Sequence, residues 1–186
     1  SEMCIRDRII TDLLALVKMD KKVQDLNIVS LNINDLTELI LKRLRPIARK
    51  KDVEVVFESV RPVVAEVDEV KMTLIMTNLV ENAIKYNKES GWIHVTLNAD
   101  HKFFYLEVAD SGIGIPQEET EHIFERFYRV DKNRSRAVGG TGLGLSIVSD
   151  TVRRRGGAIR AEHRQSGSGT VFIVELPLAR REEDDT

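Results

Sequence analysis

Asn78, Asn82 and Lys85 stand at i, i+4 and i+7, a spacing that stacks two amides and an ammonium on one stripe of a helix. Asparagine is a poor helix former, and a solvated face would more readily carry Glu, Lys or Gln, so the stripe points to function. An amide oxygen is a hard ligand suited to Mg²⁺ that arrives on phosphates, because this ion keeps several waters and takes one or two protein oxygens. A second cluster, Asp110-Ser111-Gly112-Ile113-Gly114-Ile115-Pro116, sets a carboxylate beside two glycines. That carboxylate is either a turn cap or a reader of a base. Facing adenine it accepts from the exocyclic amine, whereas guanine would offer an oxygen and leave it unpaired at about 1–3 kcal/mol. The third cluster, GGTGLGLSIV from Gly139 to Val148, is either a plain turn or a loop entering a helix whose N–H groups converge on a phosphate. It is no Walker loop, having no Gly-Lys-Ser or Gly-Lys-Thr, and no Rossmann fingerprint, because a polar loop precedes it.

Elements must hold these groups together. Asp68 opens the best-defined helix, through about Tyr86, with Met72, Ile75, Met76, Leu79, Val80, Ala83 and Ile84 on its buried side. Trp92–Leu97 and Phe103–Val108 read as an antiparallel hairpin turning at Asn98–Lys102, with Asp110 just past the second strand. Upstream, apolar residues from Ile9 to Met19 recur at helical spacing. After a polar connector, Asn34 or Asp35 caps a second helix that buries Leu36, Leu39, Ile40, Leu44 and Ile47. Val53–Phe57 and Val63–Val67 are strands. A short helix runs from Gln117 toward Phe127, Asp131–Gly140 is a polar mobile loop, and a helix over Leu143–Arg155 stops at Gly156 and Gly157. Ala158–Glu162 and Thr170–Leu176 close the sheet. The mixture lacks regular βαβ alternation, which predicts an α+β, two-layer sandwich of one mostly antiparallel sheet under helices.

The 186 residues carry 28 Lys and Arg against 30 Asp and Glu, a net charge of −2 that disfavours non-specific nucleic-acid binding. At 42% hydrophobic, with no apolar run near 20 residues, the chain reads as a globular, non-spanning protein. One cysteine, Cys4, excludes an internal disulfide or multi-thiolate site, and no signal-peptide pattern is seen. Residues 1–8 contain EMCIRDR, which resembles the in-frame translation of a sequencing adapter. On that reading the native start is lost.

The Asn-bearing helix, DSGIGIP, FERFYR from Phe124 to Arg129, and GGTGLGL follow in this order. Together they resemble the catalytic ATP-binding domain of bacterial sensor histidine kinases, in the superfamily of gyrase, the ninety-kilodalton heat-shock chaperone and MutL. The resemblance covers about Asn27 to Leu178 and implies the Bergerat-type ATP-binding fold with an N-terminal helical stub. It makes residues 9–26 the end of a dimerisation and phosphoacceptor hairpin, 27–178 the ATP-binding domain and 179–186 a charged tail. It implies ATP and Mg²⁺ as cofactors, with Asn82 on the metal and Asn78, Lys85 and Tyr86 near phosphates and base. Asp110 then reads adenine beside Gly112, Gly114, Ile115 and Thr170. Phe124, Phe127 and Tyr128 resemble the aromatic box that anchors the ATP lid, and Arg129 the arginine reaching the γ-phosphate. Gly140, Thr141, Gly142, Leu143, Gly144 and Leu145 form the second glycine box.

The same resemblance implies phosphoryl transfer to a histidine followed by Glu or Asp. His94, His101, His122 and His163 are followed by Val, Lys, Ile and Arg, so the acceptor is expected upstream of this sequence. Superfamily ATPases place a water-activating Glu where Asn78 stands, and an amide is no general base, which favours transfer over hydrolysis. Glu81 remains a candidate base or orienting group. Implied partners are the hairpin of the same or a sister chain and a response-regulator receiver domain. The implied parent is a homodimer, cytoplasmic in its catalytic part and anchored in the inner membrane. An ATPase driving conformational change and a non-catalytic ATP-binding scaffold are the alternatives.

Overall fold

A computed structural model describes residues 27–130 and 144–179, with Arg8 and Ile10 upstream. Apart from Ile10, the helix expected over Ile9–Met19 lies outside the described residues. So do the loop Asp131–Gly140, the glycine-box residues through Leu143, and the tail beyond Ala179.

The chain runs β1 (Ile28–Asn32), α1 (Ile33–Lys50), β2 (Glu54–Ser59), β3 (Val64–Asp68), α2 (Glu69–Lys85), β4 (Trp92–Ala99), β5 (Phe103–Asp110), α3 (Gly144–Arg154), β6 (Ala158–His163) and β7 (Thr170–Pro177). A five-stranded sheet has the order β2-β4-β5-β7-β6, with β2 and β4 parallel and the other neighbours antiparallel. Helices α1, α2 and α3 pack side by side on one face of this sheet, α2 in the middle. The expected α+β sandwich is therefore the fold found.

Strand parity explains the core and one polar exception to it. Successive residues of β5 face opposite sides, so Phe104, Leu106 and Val108 turn inward and Asp110 must follow them. Across the hairpin Ile93 pairs with Asp110, Val95 with Val108 and Leu97 with Leu106. In α2 the buried residues are those the periodicity marked, Met72 through Ile84. Its N-cap is Asp68, whose carboxylate accepts from Lys71 N at 3.0 Å.

Several local expectations are corrected. The connector before α1 contains β1, which pairs with β3 in a separate two-stranded sheet. The cap of α1 is Asn32, whose Oδ1 accepts from Asp35 N. Asn34 instead bridges Val63 N and Ser59 Oγ, a tertiary use that sequence spacing cannot reveal. Leu39 and Ile47 are exposed rather than buried, and Leu41 and Ala48 take the inward positions. Asp110 ends β5 rather than lying past it, and the hairpin turn shortens to 100–102. From Gln117 the chain makes two single 3₁₀ turns, Gln117–Glu119 and His122–Phe124, and no helix reaches Phe127, because Glu125 is already extended at ψ 144 and Phe127 itself stands at φ +64.

Candidate functional site

The Asn stripe lies along α2 beside its buried side, with Asn78, Glu81, Asn82 and Lys85 all half-buried. Asn78 Nδ2 donates to Leu74 O at 3.0 Å, which aims its Oδ1 outward; Arg8 donates to that oxygen and lies 3.0 Å from Glu81 Oε2. Gly144, the first residue of α3, abuts the stripe: a Cβ there would sit 3.4 Å from Asn78 Oδ1. The last turn of α2 is held from below by Lys51, whose Nζ donates to Ile84 O and Lys85 O at 3.1 and 2.7 Å. Nothing in the spacing of Lys51 announced this role.

The DSGIG turn meets the other end of α2. Ile113 N donates to Tyr86 O at 3.1 Å, and a Cβ at Gly112 would come within 2.3 Å of that same oxygen. Only glycine permits this approach. Asn78 and Tyr86 are eight residues apart, about 12 Å along a helix axis. The stripe is thus bounded by the α3 N-terminus at one end and the acidic turn at the other.

Asp110 is buried, and its Oδ1 accepts from Gly112 N at 2.9 Å and Thr170 N at 3.3 Å. Among the described residues no hydrogen bond reaches Oδ2. Desolvation by burial pushes its carboxyl above the usual carboxylate range, against the two amides and the charge of Arg164. Thr170 therefore serves Asp110 through its backbone. Ser111 Oγ accepts from Trp92 N at 2.9 Å and donates to Asn87 Oδ1 at 3.1 Å, while Asn87 Nδ2 donates to Trp92 O. Sequence reading missed Asn87, although its place between α2 and Gly91 is the kind of position such an amide fills.

The aromatic box divides. Phe124 meets the Phe172 ring edge-on at 6.3 Å, and Tyr128 Oη donates to Glu119 Oε1 at 2.9 Å. Arg126 reaches Asp150 of α3 at 3.7 Å. Phe127 is 64% exposed, and Arg129 is half-buried at the edge of the described chain. Ile115 and Leu145 pack against the core. Gly114 lies against Gly169. Gly140, Thr141, Gly142 and Leu143 lie outside the described residues.

Among the described residues no group of three or more His, Cys, Asp or Glu could hold a metal, so a self-sufficient metal cage is absent there. The donor chemistry of Asn82 fits an ion delivered on phosphates.

Residues 67–180 match the model of the histidine kinase-, DNA gyrase B- and HSP90-like ATPase family. Over 96% of its length the chain is 39% identical to the sensor histidine kinase WalK of Bacillus subtilis, of which it spans 29%. The catalytic domain of the histidine kinase ThkA superposes with a TM-score of 0.73 at 29% identity, covering 83% of this chain and 99% of that one. ThkA in complex with the response regulator TrrA gives 0.77 at 28% identity, over 92% of this chain and 48% of that one. Full-length ShkA in complex with AMPPNP gives 0.81 at 27% identity, over 94% and 36%.

Proposed function

The chain belongs to the family of histidine kinase-, DNA gyrase B- and HSP90-like ATPases, and from that premise we propose that it is the ATP-binding catalytic domain of a sensor histidine kinase. Its reaction is transfer of the γ-phosphoryl of ATP to a histidine on a helical hairpin. The observation that carries this reading is the meeting of three motifs on α2: Gly144 at Asn78, Gly112 and Ile113 at Tyr86, and the unshared oxygen of Asp110 beside them. Asp110 Oδ2 accepts from the adenine amine. Asn82 is the protein ligand of Mg²⁺, with Lys85 and Arg129 on the phosphates and the α3 N-terminus on the far oxygens. The ion, when bound, neutralises charge between phosphate oxygens. The P–O bond to the β-phosphate breaks as the imidazole N–P bond forms, and ADP departs. The acceptor is its own nucleophile, so Glu81 need only orient it.

Asn78 weighs against hydrolysis, because an amide at that position removes no proton from water. No helix among the described residues is long and apolar enough to cross a membrane. Anchoring of the parent, its dimerisation and its receiver-domain partner extend this reading to the larger protein; ThkA was solved with its response regulator. The test mixes the chain, γ-labelled ATP and Mg²⁺ with a two-helix hairpin bearing the acceptor histidine. Acid-labile label on the hairpin is expected. Phosphate release without label would favour the ATPase, and nucleotide binding with neither would favour the scaffold.

A further inference from the structure

We propose that Arg164, seated on Trp92, is a positioning residue that sets Asp110 for selection of adenine over guanine. The inference rests on the reading of Asp110 as the base-recognising carboxylate and names what holds that group in register.

Asp110 is flanked by two backbone segments. One is Ser111, bonded in both directions to the start of β4: Trp92 N donates to Ser111 Oγ at 2.9 Å and Ser111 N to Trp92 O at 3.2 Å. The other is Gly169–Thr170, at the end of the loop joining β6 to β7. Thr170 N is 3.3 Å from Asp110 Oδ1, and Gly169, at φ +124, lies so close that a Cβ would sit 1.9 Å from Asp110 O. Such an approach demands that the loop be held in one shape.

Arg164 supplies that restraint. Its Nη1 donates to Ser168 O at 2.8 Å, its Nη2 to Ser166 O at 2.6 Å, and its backbone N to Gly169 O at 3.3 Å. The guanidinium carbon stands 4.4 Å from the centroid of the Trp92 ring. One planar group thus ties the loop that delivers Thr170 N to the residue that fixes Ser111. It restrains both neighbours of the carboxylate through Ser166, Ser168 and Trp92. Its charge also opposes the desolvation of Asp110, favouring the ionised form that only accepts and so rejects the guanine oxygen. A lysine offers neither the fork nor the flat stacking face.

The experiment measures ATP and GTP affinity of the Mg²⁺-containing chain by calorimetry for wild type, Arg164→Ala, Arg164→Lys, Trp92→Ala, Trp92→Tyr and Asp110→Asn, with thermal unfolding to check folding. Arg164→Ala and Trp92→Ala should each cut the ATP-to-GTP affinity ratio about tenfold, Arg164→Lys should not restore it, and Trp92→Tyr should keep most of it. Arg164→Ala added to Asp110→Asn should cost the ratio nothing further. If Asp110→Asn collapses the ratio while Arg164→Ala leaves it unchanged, or weakens both nucleotides equally, the clamp is refuted and the base reading stands. An unchanged ratio in Asp110→Asn overturns the base reading and the clamp with it.

Discussion

Asp110 is a carboxylate forced inward by the parity of its strand, into a place where desolvation raises its pKa. A folded-state pKa above the unfolded value means that the native state holds its proton more tightly. The associated stability is full below the unfolded pKa and is lost as pH rises through the folded one. At neutral pH the ionised group therefore costs stability, a cost that the proposed recognition of the base would explain. Asp110→Asn keeps acceptors for Gly112 N and Thr170 N. It should resist denaturant better than wild type at pH 7, with the advantage vanishing below about pH 4, where both chains carry a neutral side chain. The same variant should lose tenfold or more in ATP affinity, about 1.4 kcal/mol. Denaturant titrations across pH, beside calorimetry, check both halves; lower stability at neutral pH would refute the burial account.

Helix α2 is the element on which the site depends, because it carries the amide stripe on one side and the deepest core contacts, such as Leu79 and Met76, on the other. Its ends are tied differently: Asp68 caps the N-terminus through Lys71 N, and Lys51 reaches in from the end of α1 to the last carbonyls. Burial lowers the Lys51 pKa, and Glu89 pulls it back. Asp68→Ala leaves an N–H of the first turn without its partner and should cost about 1 kcal/mol of unfolding free energy. The cap is ten residues from Asn78, so nucleotide affinity should change little once the fold is intact. Chemical denaturation with a parallel nucleotide titration measures the two effects separately.

For the molecule as a whole, layering decides what faces the nucleotide. The three helices cover one side of the sheet and hold the stripe, the acidic turn and the α3 N-terminus together. The four histidines lie off the α2 stripe, His163 alone coming close to the acidic turn, at Gly114. His94 is exposed on the outward face of β4, His101 lies in the hairpin turn, and His163 ends β6. His122 pairs with Glu125 at 2.8 Å, which raises its pKa. None stands on the α2 stripe, so the chain incubated alone with γ-labelled ATP should acquire no acid-labile label. Label found on any of the four by peptide mapping would show that one of them is the acceptor and overturn this expectation.

Periodicity alone determined α2 and its buried side, the β4–β5 hairpin and the α+β class, because hydrophobic burial imposes the 3.6- and 2-residue repeats directly on composition. The same repeats placed Asn78, Asn82 and Lys85 along one side of α2 and Asp110 near the end of the hairpin. What the repeats could not carry was pairing at a distance. β1 escaped notice because a five-residue strand in a minor sheet is recognisable only beside β3. Asn34 was mistaken for a cap because its partners, Val63 and Ser59, are 29 and 25 residues away. Arg164 and Trp92 are 72 residues apart in sequence, so nothing local links them. Only the tertiary structure brings the loop before β7 against the start of β4, because strand order, unlike strand identity, is decided by the packing of the whole sheet.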